Sequence, residues 1–577
     1  MNYATPQPGV AELRAARRQS RGLYWFVGIF SFFANLLMLT GPLYMLQVYD
    51  RVLGSRSEET LIALSLLVLF LYGVMGVLDY TRGRIMGRAG ARFQSTLDQR
   101  VFDAMVRQSA IRPEPAAQTG LSDLESVQRL MSSPVLMAIF DIPWTPIFLA
   151  GIMLFHPWLG MLALAGGAVL ICITLLNQIF STRPQATANQ ASLKAQMASD
   201  QIRNESEMVI SMGMRRAAFD RWKGTRDTAL VEGMSAMDVN GTFVSMTKTI
   251  RLFLQSAMLG LGAYLVLQNE VSPGAMIAAS ILLGRALAPI ELAVGQWQMV
   301  QRARKGWSTL AGLLERVHPE MPRTDLPRPK AKLKVQNLTV IPPEEKQASL
   351  KNVSFEIGQG VALGVIGPSG AGKSTLARAI TGVWRPAGGT VRLDGASLEQ
   401  YGPDVLGRHI GYLPQRVQLF DGTIAENIAR LDPNPDAAKV VAAAKKAAAH
   451  DMIVNLPDGY DTRIAGANSR LSGGQMQRIG LARAMFDDPV ILILDEPNSN
   501  LDNEGSLALN QAIRSMKEAG NTVLIMAHRP SAIQECEMLL MLDKGTLVAF
   551  GPKEQVLRDR VQNHEQIQKT TAMGGVR

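Results

Sequence analysis

The chain has 577 residues, with 59 Lys and Arg against 49 Asp and Glu and a formal net charge of +10 at pH 7. This length excludes a single small module, because domains average roughly 150 residues. Two cysteines exclude a disulfide framework or a cysteine-based metal site. Positive charge gathers in loops beside long apolar runs, not on a basic face with interleaved aromatic residues, so we expect a membrane surface and no nucleic acid as partner.

The N-terminal segment, residues 1–21, is polar and carries four arginines. The uncharged run after it lacks a small-residue cleavage site and is too long for a signal peptide, so we interpret it as a retained first membrane helix. Crossing the hydrocarbon core takes about 20 apolar residues. Six runs meet this length: about 22–49, 60–78, 133–156, 158–180, 242–268, and a run that follows the turn at residues 269–273.

The distribution of basic residues predicts the orientation of these spans. Eight arginines lie between residues 81 and 134, eight Lys and Arg between 181 and 242, and four arginines in the N-terminal segment. The connections on the opposite side contain only Arg51 and Arg56. Because cytoplasmic loops are enriched in Lys and Arg, we expect both termini and the two long loops of this multi-pass membrane protein in the cytoplasm. Long helices should continue into those loops.

Ionisable residues also occur inside or near the ends of the predicted spans. Asp141 lies in the third span and Arg285 and Glu291 in the sixth, with Lys248 and Arg251 at the inner end of the fifth. Charges there are costly unless they face a cavity or a partner. Two interpretations remain open at this stage. These residues line a polar translocation path, or they pair structurally or extend into water.

Composition changes near residue 325, and the second part reads as water-soluble. We predict a transmembrane domain over 22–315, a linker over 316–330, a nucleotide-binding domain over 331–565 and a polar tail over 566–577.

An apolar strand at 361–366 is followed by a glycine-rich loop and a helix-forming segment, which is the context required for a P-loop. Its residues are Gly367, Pro368, Ser369, Gly370, Ala371, Gly372, Lys373, Ser374 and Thr375.

This loop predicts binding of a nucleoside triphosphate, ATP, together with Mg²⁺. Glycines let backbone N–H groups close around phosphate at a helix N-terminus, Lys373 reaches the outer phosphates, and Ser374 offers its hydroxyl to Mg²⁺. A second apolar strand, 490–494, ends in Asp495 and Glu496. Asp495 is suited to hold Mg²⁺. Glu496, which points differently as the next residue, is suited to act as the catalytic base.

Leu471, Ser472, Gly473, Gly474 and Gln475 resemble the signature motif of ABC transporter ATPases. The resemblance implies an all-α polytopic membrane domain of the ABC exporter type, with six transmembrane helices, fused to an α/β P-loop NTPase domain. In that family two ATPase domains clamp two nucleotides head to tail. Ser472 and Gly474 would then contact the phosphate bound by the partner's P-loop, which implies a homodimer.

Further segments follow the family's order. Gln415 matches the loop that senses Mg²⁺ and the attacking water, Asp502 matches the inter-subunit loop, and His528 matches the histidine that contacts the γ-phosphate. One departure concerns adenine. Exporters of this family usually have an aromatic residue on the strand before the P-loop, where it stacks on adenine. This chain has Ile341 and Pro342 at that position, so we expect weaker discrimination between bases.

Two stretches of the membrane half narrow the resemblance further. Residues 140–160, with Phe-Asp-Ile-Pro-Trp-Thr-Pro at their start, and residues 42–52 look like the permease/ATPase of type I secretion systems of the PrtD kind. This implies ATP-driven export of unfolded polypeptide, such as RTX-type proteases or lipases, through a periplasmic membrane-fusion adaptor and an outer-membrane channel. No Cys/His peptidase domain is expected in the short N-terminal segment.

Two alternatives remain beside protein export. The same ATPase motifs serve exporters of lipids, glycans or small molecules, and an ATP-gated channel or regulatory membrane protein would share the spans. Lipid-stimulated ATP hydrolysis would favour the first alternative, and an ATP-opened ion current the second. The apolar spans exclude a soluble ATPase.

Overall fold

The computed structural model describes residues 8–112, 115–319, 323–324, 326–343, 345–464, 471–498, 503–527 and 533–558. The chain divides into two compact units. One comprises Met1–Ser109 with Pro113–Pro319, and the other comprises Ala110–Arg112 with Glu320–Arg577.

The regular elements of the first unit are all helices in the part of the chain that is described, and six of its helical stretches are long and apolar enough to cross a membrane, as the sequence predicts. Its helices are α1 (Pro8–Arg18), α2 (Arg21–Leu37), α3 (Thr40–Gln47), a π-helical turn (Val48–Val52), α4 (Leu53–Ser55), α5 (Glu58–Ile111), α6 (Pro115–Met131), α7 (Pro134–Asp141), a 3₁₀ turn (Ile142–Trp144), α8 (Thr145–Phe155), α9 (Pro157–Asn204), α10 (Ser206–Ser211), α11 (Arg215–Leu267), α12 (Pro273–Gly295) and α13 (Trp297–Arg316).

Three of these helices are much longer than a bilayer requires. Helices α5, α9 and α11 have 54, 48 and 53 residues, which at about 1.5 Å per residue is more than twice the hydrocarbon thickness. Their apolar ends form spans and their polar ends continue beyond them. Helix α6 follows the polar end of α5 and leads to α7, and the short helix α10 connects the polar ends of α9 and α11.

The third span is broken in its middle. Helix α7 ends at Asp141, a 3₁₀ turn follows, and α8 resumes at Thr145. Pro143 explains the break, because its ring removes one backbone donor and clashes with the preceding helical turn. Trp144, which is 8% exposed, packs against Phe32 of α2 with ring centroids 5.2 Å apart.

Charged residues of the spans pair with one another. The Arg82 Nη1 atom lies 2.9 Å from Asp141 Oδ1, and the Asn35 side-chain amide donates to the same oxygen at 2.6 Å. Likewise Arg251 Nη1 lies 2.9 Å from Glu291 Oε2. Of the two interpretations left open by the sequence, the structure therefore favours structural pairing for Asp141, Arg251 and Glu291. Arg285 and Lys248 are exposed.

The second unit combines two main sheets with helices. Its helices are α14 (Lys373–Ile380), α15 (Pro403–His409), α16 (Ile424–Ile428), α17 (Ala437–Lys446), α18 (His450–Val454), α19 (Gly473–Met485) and α20 (Asn503–Glu518). Its strands are β1 (Leu333–Val340), β2 (Leu350–Ile357), β3 (Ala362–Ile366), β4 (Gly388–Leu393), β5 (Ala396–Ser397), β6 (Ile410–Leu413), β7 (Gly422–Thr423), β8 (Arg463–Ile464), β9 (Ile491–Asp495), β10 (Thr522–Ala527), β11 (Met538–Asp543) and β12 (Thr546–Pro552).

The larger sheet has the strand order β12-β11-β3-β10-β9-β6, and the smaller one the order β2-β1-β4-β5. In the larger sheet β11, β3, β10, β9 and β6 run parallel, and β12 pairs antiparallel at one edge. Every residue of β3, β9 and β10 is buried, which is expected of strands covered on both faces. The non-consecutive order brings together strand ends that are far apart in sequence.

Candidate active site

The site lies at the carboxyl edge of the larger sheet. Strand β10 separates β3 from β9, and the pairing register places Val365, Met526 and Asp495 side by side. On the far side of β9, Leu413 of β6 pairs with Leu494. The segments that follow β3, β9 and β6 therefore leave the sheet at one level, where ligands of open α/β sheets bind.

The glycine-rich loop after β3 has no room for side chains at two positions. A Cβ atom at Gly367 would lie 2.2 Å from the Leu542 carbonyl oxygen. Gly372 has φ +99°, and a Cβ there would lie 2.8 Å from the Ser349 carbonyl oxygen. Only glycine combines this left-handed conformation with such close approach. The loop is thus a cradle of backbone atoms at the start of α14.

Lys373 is the first residue of α14 and lies over this cradle. Its Nζ atom donates hydrogen bonds to the carbonyl oxygens of Gly367, at 2.9 Å, and Pro368, at 3.0 Å. Burial lowers the pKa of Lys373, while the nearby carboxylates of Glu496 and Asp495 act in the opposite direction. A cation is therefore held where phosphate oxygens of a nucleotide would enter the cradle.

A hydroxyl and a carboxylate from two different elements meet beside the cradle. Ser374 Oγ lies 3.3 Å from Asp495 Oδ1, and Asp495 is 3% exposed. Burial raises the pKa of Asp495, whereas the Ser374 hydrogen bond and the Arg378 and Lys373 cations lower it. Hard oxygen ligands of this kind suit Mg²⁺, which binds through one or two carboxylates together with phosphate. The donor set therefore fits the ion that the sequence predicts.

Glu496 adopts an unusual backbone conformation. Its φ is +52°, a left-handed value that costs free energy in a non-glycine residue and clusters at functional sites. The Glu496 N–H donates to the Met526 carbonyl oxygen at 3.0 Å. The Glu496 Oε2 atom accepts a hydrogen bond of 2.9 Å from the exposed Gln415 amide, and the Glu496 and Asp495 carboxylates both act on Lys373 electrostatically.

Three residues that the sequence analysis did not single out support this edge. Burial and the nearby Asp495 carboxylate raise the pKa of Tyr412 to about 12, although a hydrogen bond from Arg378 lowers it. The Arg378 guanidinium also lies 4.6 Å from the centre of the Trp384 ring. Buried Gln477 donates to the Pro497 carbonyl oxygen, next to Glu496. Of the three, only Arg378 could have been found from the sequence, because it lies one turn after Ser374 on a predicted helix.

The signature segment forms the N-terminus of α19. Ser472 is the N-cap: its hydroxyl accepts from the Gln475 N–H at 3.2 Å, and Gln475 Oε1 accepts from the Ser472 N–H at 2.8 Å. This reciprocal pair is a capping box. Ser472 and Gly473 are exposed, and Gly474 is half-buried. No hydrogen bond among the described residues joins Ser472 to the glycine-rich loop of the same chain.

The remaining predicted residues lie around this edge or outside the described ranges. Ser369 is exposed, Ala371 is buried and Thr375 is half-buried in α14. Ile341, just after β1, is 42% exposed, and Pro342 is buried. Asp502 and His528 fall outside the described residues; β10 ends at Ala527, the residue before His528.

Comparison with known proteins adds independent findings. Residues 350–499 match the ABC transporter family, and residues 24–287 match the ABC transporter transmembrane region. The type I secretion system ATP-binding protein PrsD of Rhizobium meliloti is 41% identical over 571 residues, which are 99% of this chain and 98% of PrsD. The leukotoxin translocation ATP-binding protein LktB of Mannheimia haemolytica is 28% identical over 546 residues, 92% of this chain and 76% of LktB.

A solved structure shares the fold. The structure of a bacterial Atm1-family ABC exporter with ATP bound aligns with a TM-score of 0.78 at 22% identity, covering 95% of this chain and 98% of the other.

Proposed function

The chain belongs to the ABC transporter family, and we propose that it is the ATP-driven protein export component of a type I secretion system in the inner membrane. One observation carries this proposal. The same chain that contains six membrane-spanning stretches brings Lys373, Ser374, Asp495, Glu496 and Gln415 to one edge of a parallel sheet. An ATPase joined to a polytopic helical unit is suited to transport.

Nucleotide binding falls to the cradle. The backbone of residues 367–372 receives the phosphates, and the Lys373 cation leaves its two carbonyl partners to contact the outer phosphate oxygens. Ser374, Asp495 and Gln415 would hold Mg²⁺, which would neutralise charge on the phosphates. Thr375 completes the loop motif at the start of α14. The exposed Ile341, with the buried Pro342 next to it in the chain, provides the apolar surface on which we expect adenine to bind.

Hydrolysis falls to Glu496. Its carboxylate polarises the attacking water as general base, and the hydrogen bond from Gln415 fixes the position of that carboxylate. The left-handed turn at Glu496 lets the Asp495 and Glu496 carboxylates serve one nucleotide, because adjacent side chains of a regular strand would point to opposite faces. We assign His528 to the γ-phosphate and Asp502 to the contact between subunits, both on family resemblance.

A second copy of the chain completes each site. The N-terminus of α19 at Ser472, Gly473 and Gly474 is an anion-binding end, and the side chain of Gln475 takes part in the capping box that fixes this end. We place this end against the phosphate held by the partner's loop, which gives a homodimer with two shared nucleotides. ATP binding then draws the two ATPase units together and hydrolysis releases them.

The exported material is unfolded polypeptide. A folded protein cannot pass between two six-helix halves, so the cargo enters as a thread. We propose RTX-type proteases or lipases as cargo, a periplasmic membrane-fusion adaptor and an outer-membrane channel as partners, and a cytoplasmic position for both termini and the ATPase unit. The relatives named for secretion and leukotoxin translocation support this choice over a lipid exporter or a gated channel.

Reconstituted export tests the proposal. The full chain is placed in proteoliposomes with candidate cargo and ATP, and protease protection measures cargo inside the vesicles. The wild type should accumulate protected cargo and Glu496→Gln should not. ATP turnover stimulated only by lipid, or an ion current opened by ATP without cargo movement, would contradict protein export.

A further inference from the structure

Helix α1 is amphipathic and ends beside the first membrane span. Its buried face, Gly9, Leu13 and Ala16, packs into a cluster that includes Phe93 and Leu310. The opposite face presents Arg14, Arg17 and Arg18 to solvent, and Arg21 begins α2 and is exposed as well. We call these four residues the arginine cluster.

The arginine cluster lacks acidic partners among the described residues. Glu12, the acidic residue of α1, is engaged by Arg100 Nε at 2.9 Å, and none of the four arginines is in a salt bridge within the described ranges. The first turn of α2 adds further positive character, since N-cap Ser20 makes no side-chain capping hydrogen bond and the first backbone N–H groups of a helix have no internal partner.

An aromatic groove of about 610 Å³ begins directly after the arginine cluster. It is lined by Tyr24, Trp25, Gly28, Ile29, Phe32 and Phe33 of α2 and by Phe140 of α7. These α2 positions recur every three or four residues, so they share one helix face with Arg21. Arg17 is close enough to Tyr24 at the end of the groove to act on it electrostatically.

We propose that the groove and the arginine cluster together bind one anionic phospholipid of the cytoplasmic leaflet. An acyl chain occupies the aromatic groove, and the phosphate headgroup lies against Arg17, Arg18 and Arg21 at the start of α2. Charge complementarity identifies the occupant, because juxtamembrane arginines without acidic partners attract anionic lipid and an apolar groove alone would accept any chain. The leaflet follows from the proposed orientation, whereas the lipid chemistry does not depend on it.

Gly28 fixes the depth of the groove. A Cβ atom there would lie 4.0 Å from Phe140 Cδ1, so Gly28→Leu would fill the space between α2 and α7 without displacing the backbone. This provides a variant that blocks the acyl chain and keeps every charge. The complementary variant, Arg17→Gln with Arg18→Gln and Arg21→Gln, removes the charges and keeps the groove.

Native mass spectrometry of the full chain in detergent tests the proposal, with phosphatidylglycerol and phosphatidylcholine of identical acyl chains as probes. We expect one retained phosphatidylglycerol per chain and weaker retention of phosphatidylcholine. The triple arginine variant should lose phosphatidylglycerol affinity on the order of 100-fold, and Gly28→Leu should lose the retained lipid. A charge-matched control, Arg221→Gln with Lys223→Gln and Arg226→Gln on the polar part of α11, should bind as the wild type does.

Several outcomes would overturn the proposal. Equal retention of both lipids, or equal loss in the control triple variant, would mean unspecific association. A crosslink from Trp25→Cys to a second copy would mean that another chain fills the groove. Quenching of Trp25 by lipid with brominated acyl chains, absent in Gly28→Leu, checks occupancy if the triple variant folds poorly. None of these measurements depends on cargo export, so lipid binding can be interpreted even if the proposed export function is wrong.

Discussion

The Gln415 side-chain amide donates a hydrogen bond of 2.9 Å to the Glu496 carboxylate, although 81 residues separate the two in sequence. Parallel pairing of β6 with β9 creates this contact, because both residues follow strand ends at the same edge. The contact fixes the position of one carboxylate oxygen of Glu496. The residue that we propose as general base therefore has a strained backbone conformation.

Glu496→Gln is expected to lower the rate of ATP hydrolysis by about 10²- to 10⁴-fold, because the amide cannot accept a proton from water. ATP affinity should stay within a few-fold of the wild type, since the cradle is untouched. Phosphate release and nucleotide binding measure the two effects separately. Continued turnover at a wild-type rate would refute the assignment of Glu496 as base.

Gly372→Ala is expected to abolish ATP binding and to destabilise the ATPase unit by about 1–3 kcal/mol. Its φ of +99° disfavours any side chain, and the new Cβ would lie 2.7 Å from Leu350. Gly395→Ala is the control, because φ there is +83° but nothing lies within 4 Å of the added Cβ. Thermal unfolding and ATP binding of both variants separate the steric clash from backbone strain. Equal behaviour of the two would contradict the cradle geometry.

Ile341→Tyr is expected to tighten nucleotide binding by about fivefold or more, because an aromatic ring at this exposed position can stack on a base. In the wild type, Ile341 would give the base only apolar contact, so GTP should compete with ATP within about one order of magnitude. Competition binding with both nucleotides measures this. Strong preference of the wild type for ATP over GTP would show that other residues recognise adenine.

Arg82→Gln is expected to destabilise the helical unit by about 3 kcal/mol, because the Asp141 carboxylate would be left between helices without its cation. Their side chains are 10% and 18% exposed. Arg129→Gln, which breaks an exposed pair with Glu125, should cost less than about 1 kcal/mol. Unfolding of both variants in detergent gives the comparison. Similar losses would mean that the Arg82 pair is no more important than a surface pair.

Local patterns in the sequence were sufficient for the spans, the P-loop and the acidic strand end, because each depends on a few consecutive residues. The six spans and the fused ATPase are confirmed. Long-range pairing was not predictable in the same way. Nothing near Asp141 in sequence indicates Arg82, which lies 59 residues away on another helix, and hydropathy does not report which faces of two helices meet.

Side-chain roles at the ATPase edge show the same limit. The spacing of Ser472 and Gln475 is that of a capping box, a purely local signal, but the sequence was interpreted for phosphate contact alone. The bond from Gln477 to Pro497 and the stacking of Arg378 on Trp384 depend on tertiary packing. Such supporting residues become visible only when strand order is known.

The central claim is that each nucleotide is shared between two identical chains, and one crosslinking measurement tests it most directly. Two differently tagged forms of the chain, both with Cys172 and Cys536 replaced, carry Ser369→Cys in one and Ser472→Cys in the other. They are mixed in the Glu496→Gln background with ATP and Mg²⁺ and then oxidised. We predict a disulfide-linked product that contains both tags and forms only with nucleotide. A third form carries both cysteines in one chain; a disulfide within that chain, together with no product that contains both tags, would contradict the shared site.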